Sequence, residues 1–238
     1  MLAFLLVAAL LAGLPIAGAN GASLRVSPVL VDLSAPASAS TLRIWNDAQR
    51  VINVQVRIFR WSQINGQDVY TPTRDVVVSP PMTQLRGGAE NMIRVVRTSK
   101  AAILAEERYR VIVDELPQGV QRQTGTVSLV VRHSIPVFFS PGAISPPKPA
   151  WSIRRMRGGY EVNVTNTGGK RIRIANLQLL SGGTAIAKHN GLVGYVLGGS
   201  KATWFIPASG GKAGGSSLTI AADSDTGRVH ATSSVQGG

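Results

Sequence analysis

Short stretches of alternating apolar and polar residues dominate the chain after Ala22, and this period of two predicts β-strands. The clearest stretch covers residues 52–61, where Val54, Val56 and Ile58 share one face. The other stretches are 24–33, 41–45, 76–78, 92–97, 109–116 and 127–139. Only residues 99–108 have a helical pattern. This first half is therefore predicted to be a β-sandwich.

A second, smaller sandwich is predicted after a proline-rich stretch at residues 140–149, SPGAISPPKP. Its strands are expected at 151–157, 160–166, 172–180, 184–188, 202–206 and 217–220. The division is a signal peptide at 1–22, a first domain at 23–142, a linker at 143–149 and a second domain at 150–238. The fold class is all-β, with two sandwich domains.

The first 22 residues have the pattern of an export signal. They contain no charged side chain, residues 2–14 form an apolar run, and Pro15 ends it. Ala17-Gly18-Ala19 then provides an A-x-A cleavage pattern. No Lys or Arg lies near Met1, which departs from the usual signal peptide. We expect cleavage, export and no membrane insertion of the mature chain.

Composition excludes several kinds of chemistry. The 238 residues include no cysteine, so disulfides, cysteine nucleophiles and cysteine-based metal sites are excluded. The net charge of +13 suggests nucleic-acid binding. However, single-strand binding needs aromatic side chains among the basic ones, and aromatics make up only 5% of the chain. We therefore expect no nucleic-acid partner.

No catalytic or metal-binding motif is present. His133, His189 and His230 lie far apart in sequence, and no H-E-x-x-H, nucleophile elbow or phosphate-binding loop occurs. Ser209 and Lys212 match S-x-x-K only within a Gly/Ser-rich loop. The chain is predicted not to be an enzyme and to need no metal or cofactor.

The most informative stretch is GTVSLVVRHSIPVFF at residues 125–139. Alternation places Val127, Leu129 and Val131 on one side of an unusually long strand. One interpretation is a buried central strand. The other is an edge strand that is lent to another protein's sheet, where alternate side chains fill a groove.

Seven segments, taken in order, resemble the periplasmic pilus-assembly chaperones of the PapD-like family. They are RVSPV (25–29), VRIFRW (56–61), VSPP (78–81), IRVVR (93–97), YRV with ELP (109–111 and 115–117), IPVF (135–138) and GLVGYVL (191–197). The short connection at 117–125 and the motifs SIPVF and GYVL resemble the archaic chaperone–usher branch, which handles spore-coat-U-type pilins.

This resemblance implies two immunoglobulin-like domains set in an L, with a pilin subunit captured between them. The family's last first-domain strand completes the subunit's fold, and Val127, Leu129 and Val131 match its donor positions. It also implies a periplasmic location and an outer-membrane usher as the second partner. Self-association through the exposed strand edge stays open.

The chain departs from the family at the residues that anchor the subunit's terminal carboxylate. The two basic positions of better-known members fall at about Pro28 and Pro136, which cannot bind a carboxylate. Arg110 is the first candidate because it faces away from the core side, and the others are Arg94, Arg132 and Arg25. Ser140 also replaces a basic residue that the family uses between its domains.

A second function stays open at this point. Residues 143–238 carry eleven basic and three acidic side chains. A secreted β-sandwich adhesin that binds anionic polymers through this basic surface is therefore the alternative to a chaperone.

Overall fold

The computed structural model describes residues 24–117, 130–209 and 215–237, and all regular secondary structure in these ranges is β-strand. The first-domain strands are β1 (Leu24–Ser27), β2 (Val31–Ser34), β3 (Ala39–Asn46), β4 (Ile52–Ile64), β5 (Gln67–Pro72), β6 (Val76–Ser79), β7 (Met82–Leu85), β8 (Glu90–Arg97), β9 (Glu107–Leu116) and β10 (Arg132–Ser140). The second-domain strands are β11 (Pro149–Met156), β12 (Gly159–Asn166), β13 (Ile172–Ser181), β14 (Thr184–Val196), β15 (Ser200–Pro207), β16 (Ser217–Ser224) and β17 (Gly227–Gln236).

Two sheets pack face to face in the first domain. The first sheet has the order β1-β3-β8-β6, and the second has the order β2-β10-β9-β4-β5, with β7 also paired to β4. The alternation along β4 explains the packing, because Ile52, Val54 and Val56 are all buried in the core between the sheets. Burial of each such side chain stabilises the fold by roughly 1.5–3 kcal/mol.

The second domain consists of seven strands in the order β14-β13-β16-β17-β11-β12-β15. A short parallel pairing of β17 with β11, Val235 opposite Ile153, joins its two halves. Their inner faces enclose a separate core that includes Val162, Leu177 and Ile220. The expected all-β fold of two sandwich domains is confirmed. The chain between β10 and β11, residues 141–148, contains no strand.

The predicted helix at residues 99–108 is wrong. Residues 99–106 form a loop, and residues 107 and 108 already belong to strand β9. The side chain of Arg97 holds this loop, because it donates to the carbonyl oxygens of Ser99 at 2.6 Å and Ala101 at 2.8 Å. Arg97 also binds the Glu107 carboxylate at 2.7 Å. The loop's carbonyls thus bind a side chain rather than helical N–H groups.

Several strand bounds also differ from the prediction. The alternation at 52–61 continues to Ile64 and turns into β5, and β17 was not predicted. The strand predicted at 127–139 begins at Arg132, and residues 118–129 lie outside the described part of the chain. The predicted signal peptide lies outside it too. Within the described ranges, no helix is long and apolar enough to cross a membrane.

The two domains meet in an aromatic cluster, which consists of Trp61, Phe138, Tyr195 and Leu197. The rings of Trp61 and Tyr195 lie edge to face with centroids 5.6 Å apart, a favourable geometry. Gln63 extends the contact. Its Nε2 donates to the Tyr195 carbonyl at 2.7 Å, and its Oε1 accepts from the Leu197 N–H at 3.0 Å.

A buried arginine links the domains beside this cluster. The Arg171 guanidinium binds the carboxylates of Glu106 at 2.5 Å and Asp32 at 2.6 Å, both in the first domain. It also lies over the Phe138 ring, 3.6 Å from the ring centroid. The Arg171 and Glu106 side chains are 2% and 0% exposed, so this ion pair is sealed from solvent.

Candidate functional site

One face of the second sheet points away from the first-domain core and toward the second domain at one end. We call it the interdomain face. Alternation along β4, β9 and β10 defines its residues: Arg57, Phe59, Trp61, Arg108, Arg110, Ile112, Asp114, Arg132, Ser134, Pro136 and Phe138. It combines aromatic rings with several arginines, which suits a peptide that has both apolar and anionic groups.

Arg110 lies on the interdomain face as predicted, and it is almost buried, at 9% exposure. Its guanidinium carbon lies 3.9 Å from the Trp61 ring centroid and 5.7 Å from that of Tyr195. Its Nη1 donates a long bond, 3.4 Å, to the Ser134 carbonyl, and its Nε is buried without a partner. None of the ion pairs among the described residues includes Arg110.

This cation is therefore stacked and oriented but lacks a counter-ion. A buried charge without a paired anion is costly, so the position favours binding of a carboxylate. The positive charge of Arg110 also acts on neighbouring Tyr70, where burial raises the pKa and Arg110 opposes the shift. Arg110 is opposite Pro136 in the register of β9 with β10.

The first half of β10 forms an open edge. Strand β2 pairs only with Val137–Ser140, so Arg132–Pro136 have β9 on one side and no described strand on the other. The chain leaves β1 at Ser27 and enters β2 at Val31, and Val29 in this connection is 71% exposed. An open edge beside an exposed apolar bend is suited to pairing with an additional strand.

Arg132, another candidate, is already paired. Its Nε binds Asp114 Oδ1 at 2.5 Å, and Arg57 binds Asp114 Oδ2 at 2.7 Å. Burial raises the pKa of Asp114, but the hydrogen bonds from Arg132 and Arg57 outweigh it and hold the pKa below its ordinary value. The three side chains form an ionised cluster at the far end of the interdomain face.

The remaining candidates, Arg25 and Arg94, lie on the outer face of the first sheet, on the opposite side of the sandwich from the interdomain face. Arg25 pairs with Asp47 at 3.2 Å and stacks on Trp45. Arg94 is exposed on β8. The sandwich thus separates both arginines from Arg110.

Two of the three predicted donor residues, Val127 and Leu129, lie outside the described residues. Val131 is described, and it packs half-buried against the first-domain core. Its carbonyl accepts the Glu115 N–H at 2.9 Å, while neighbouring Val130 is exposed. In this conformation Val131 therefore contributes to the protein's own core.

Sequence reasoning missed Arg171 and Asp114. Because Ser140 stands where the family has a basic residue, the sequence predicted no charge contact at the domain junction. Arg171 supplies such a contact from the second domain. The sequence contains no signal that would single out Arg171 among eleven basic residues after residue 142. Asp114 was not among the predicted site residues, although alternation places it on the same face as Arg110.

The histidines do not form a site. His133 Nε2 lies 2.8 Å from the Leu24 carbonyl, which ties β10 to the first strand. Across the described ranges, no group of three His, Asp or Glu side chains could hold a metal ion.

Comparison with known proteins shows which proteins share this sequence pattern and fold. The model of the family "Pili and flagellar-assembly chaperone, PapD N-terminal domain" matches residues 23–145. Chaperone protein PmfD of Proteus mirabilis (strain HI4320) is 28% identical over 88 residues, which are 36% of this chain and 33% of PmfD. The match therefore spans a third of that protein's length.

Solved structures of similar fold cover nearly the whole chain. A chain of the CsuC–CsuE chaperone–tip adhesion subunit pre-assembly complex, from archaic chaperone-usher Csu pili of Acinetobacter baumannii, has a TM-score of 0.67 and 25% identity, with 90% of this chain and 100% of that chain covered. The E. coli chaperone DraB has a TM-score of 0.57 and 22% identity, with 88% and 97% covered. A chain of the Salmonella enterica SafA pilin–SafB chaperone complex has a TM-score of 0.59 and 18% identity, with 88% of this chain and 96% of that chain covered.

Proposed function

Because the chain belongs to the PapD-type pilus-assembly chaperone family, we propose that it captures, folds and stabilises pilus subunits in the periplasm and delivers them to an outer-membrane usher. The likeness to a chaperone of the archaic Csu system supports the archaic branch. The donated strand comprises Val127, Leu129 and Val131, and it continues into the open edge at Arg132–Pro136. Each apolar side chain inserted into a subunit's open groove stabilises the complex by roughly 1.5–3 kcal/mol.

The observation that carries this proposal is the unpaired Arg110 beside that open edge. A captured strand that pairs with β10 and ends near Pro136 lies two strand spacings from β9, about 9.6 Å. The Arg110 side chain extends over β10 as far as the Ser134 carbonyl, so its guanidinium is directed toward a terminal carboxylate at that edge. Trp61 and Tyr195 hold the guanidinium in place, so little side-chain freedom is lost on binding. This arrangement replaces the basic residues that Pro28 and Pro136 cannot supply.

Co-expression with a pilin subunit tests the anchor. We expect Arg110→Gln to weaken subunit capture roughly 10- to 100-fold, the effect of one lost charge-assisted hydrogen bond. Arg94→Gln is the matched control, since Arg94 lies on the outer face of the same domain. Equal recovery of the complex from the periplasm with both variants would place the anchor elsewhere.

The donated strand is tested in the same assay with Leu129→Asp, which introduces a charge at a donor position. We expect complex recovery to fall to background, because burial of an unpaired carboxylate opposes insertion. Val130→Asp is the control, since Val130 is exposed and adjacent. An unchanged yield with Leu129→Asp would refute strand donation, and would leave an adhesin that binds anionic polymers as the alternative.

A further inference from the structure

Asp114 neutralises a second cationic position on the interdomain face, beside the open edge of β10. Its carboxylate is 9% exposed and binds one guanidinium with each oxygen, Arg132 at Oδ1 and Arg57 at Oδ2. Those two arginine side chains are 66% and 43% exposed, so without Asp114 both would be accessible to another carboxylate.

The two positions are spaced along the open edge by four residues. Arg110 is opposite Pro136, and Asp114 is opposite Arg132, in the same antiparallel register. Four residues of strand correspond to about 13 Å. A strand that pairs with the donor segment and ends at Pro136 runs in the same direction as β10, so a slip of four residues would bring its end to Arg132.

Alternation of side chains does not prevent such a slip. Because side chains repeat every two residues, a strand displaced by four keeps all of its apolar groups on the same face. The terminal carboxylate is then the feature that distinguishes one register from the other. Without Asp114, the free guanidinium groups of Arg57 and Arg132 would offer that carboxylate a second binding position, comparable to the one at Arg110.

We propose that Asp114 sets the register of the captured chain by occupying Arg57 and Arg132, which leaves Arg110 as the partner of the terminal carboxylate. Asp114 is thus a positioning residue, and its role rests on the proposed function. Its own contact with the captured chain is not required.

Synthetic peptides test this role with the purified protein. The probe is a twelve-residue peptide of alternating valine and threonine with a photo-reactive benzoylphenylalanine near its end, made with a free C-terminal carboxylate and with an amide. Mass spectrometry of the cross-links reports the register along β10. We expect a single register in the parent protein. In Asp114→Asn we expect a second register, displaced by four residues, whose population relative to the first rises roughly tenfold.

A rescue variant separates register choice from folding. In Arg57→Gln/Arg132→Gln/Asp114→Asn the second carboxylate site is gone, so we expect the single register to return. An unchanged register in Asp114→Asn, or a second register that persists in the triple variant, would overturn the role of Asp114 alone. If the parent protein binds the free and amidated peptides equally, the Arg110 anchor fails, and the inference fails with it.

Discussion

At the residue scale, a buried asparagine closes one strand end in each domain. Asn46 is the last residue of β3, and Asn166 is the last residue of β12; both are fully buried. Each amide nitrogen donates to backbone carbonyls of the following loop, at 2.7 Å to Arg50 and at 2.8 Å to Lys170. Each amide oxygen accepts a backbone N–H two residues ahead. One side chain thus satisfies several buried backbone groups.

Removal of either amide should destabilise its domain. We expect Asn46→Ala or Asn166→Ala to lower the free energy of unfolding by about 2–3 kcal/mol, because the buried carbonyls lose their donors. Urea unfolding followed by circular dichroism measures the change. Asn53→Ala is the control, since Asn53 only accepts an exposed bond from Gln84. A loss no larger than that of the control would contradict this account.

At the scale of elements, the β4–β5 hairpin reaches across to the second domain. Its turn consists of Asn65 and Gly66, both with positive φ. The Gly66 carbonyl accepts the Thr203 N–H at 3.0 Å, and a Cβ at Gly66 would lie 2.3 Å from Thr203 Oγ1. The turn therefore needs glycine for its backbone conformation and for its close approach to β15.

A pair of glycine substitutions separates these two requirements. Gly66 has φ of 80° and Gly183 has φ of 83°, but a Cβ at Gly183 would meet no atom within 4 Å. Both Gly→Ala changes carry the left-handed backbone cost, about 1–2 kcal/mol. We expect Gly66→Ala to lower the thermal midpoint by several degrees more than Gly183→Ala. Equal midpoints would show that the hairpin contact contributes nothing to stability.

The elements that sequence predicted well are those whose core positions carry large apolar side chains. Strand β4 was evident because Val54, Val56 and Ile58 alternate toward the core. Strand β17 was missed because its inward positions are mixed in size and polarity, as Ala231 and Ser233 illustrate. The helix predicted at 99–108 was wrong because the side chain of Arg97 holds this segment as a loop. Its bonds to the loop carbonyls are contacts that the local sequence pattern does not reveal.

The candidate site was predictable only in part, for a similar reason. Alternation alone assigns Arg110 to the face away from the core, and the structure agrees. Its lack of a counter-ion follows from register, since the residues opposite Arg110 are Pro136 on β10 and Phe59 on β4, and neither is charged. The sequence does not contain that pairing. Nor does it contain the packing of the two domains, which brings Tyr195 to within 5.7 Å of the Arg110 guanidinium.

At the scale of the whole molecule, the approach of Tyr195 to Arg110 depends on how the domains are held together, and Arg171 is the buried ionic link between them. Its guanidinium reaches Glu106 and Asp32 of the first domain, and its backbone N–H also donates to Glu106 at 3.0 Å. Glu106 is fully buried, so it cannot be compensated by solvent if Arg171 is removed.

We therefore expect Arg171→Met to destabilise the protein by about 3–5 kcal/mol and to loosen the junction, because the Glu106 carboxylate is left buried and unpaired. Small-angle X-ray scattering should show a larger radius of gyration, and urea unfolding should show the loss of stability. Arg154→Met is the matched control, since Arg154 pairs with Glu161 at 3.0 Å on the surface of the second domain alone.

Adding Glu106→Gln to Arg171→Met tests the cause, since an amide can be buried at much lower cost than a carboxylate. The double variant should regain part of the lost stability while its domains stay loosened, because the link itself is still absent. If Arg171→Met kept the parent scattering curve, the aromatic cluster and the β4–β5 hairpin would suffice to hold the domains. The orientation of Arg110 toward Tyr195 would then not depend on the ionic link.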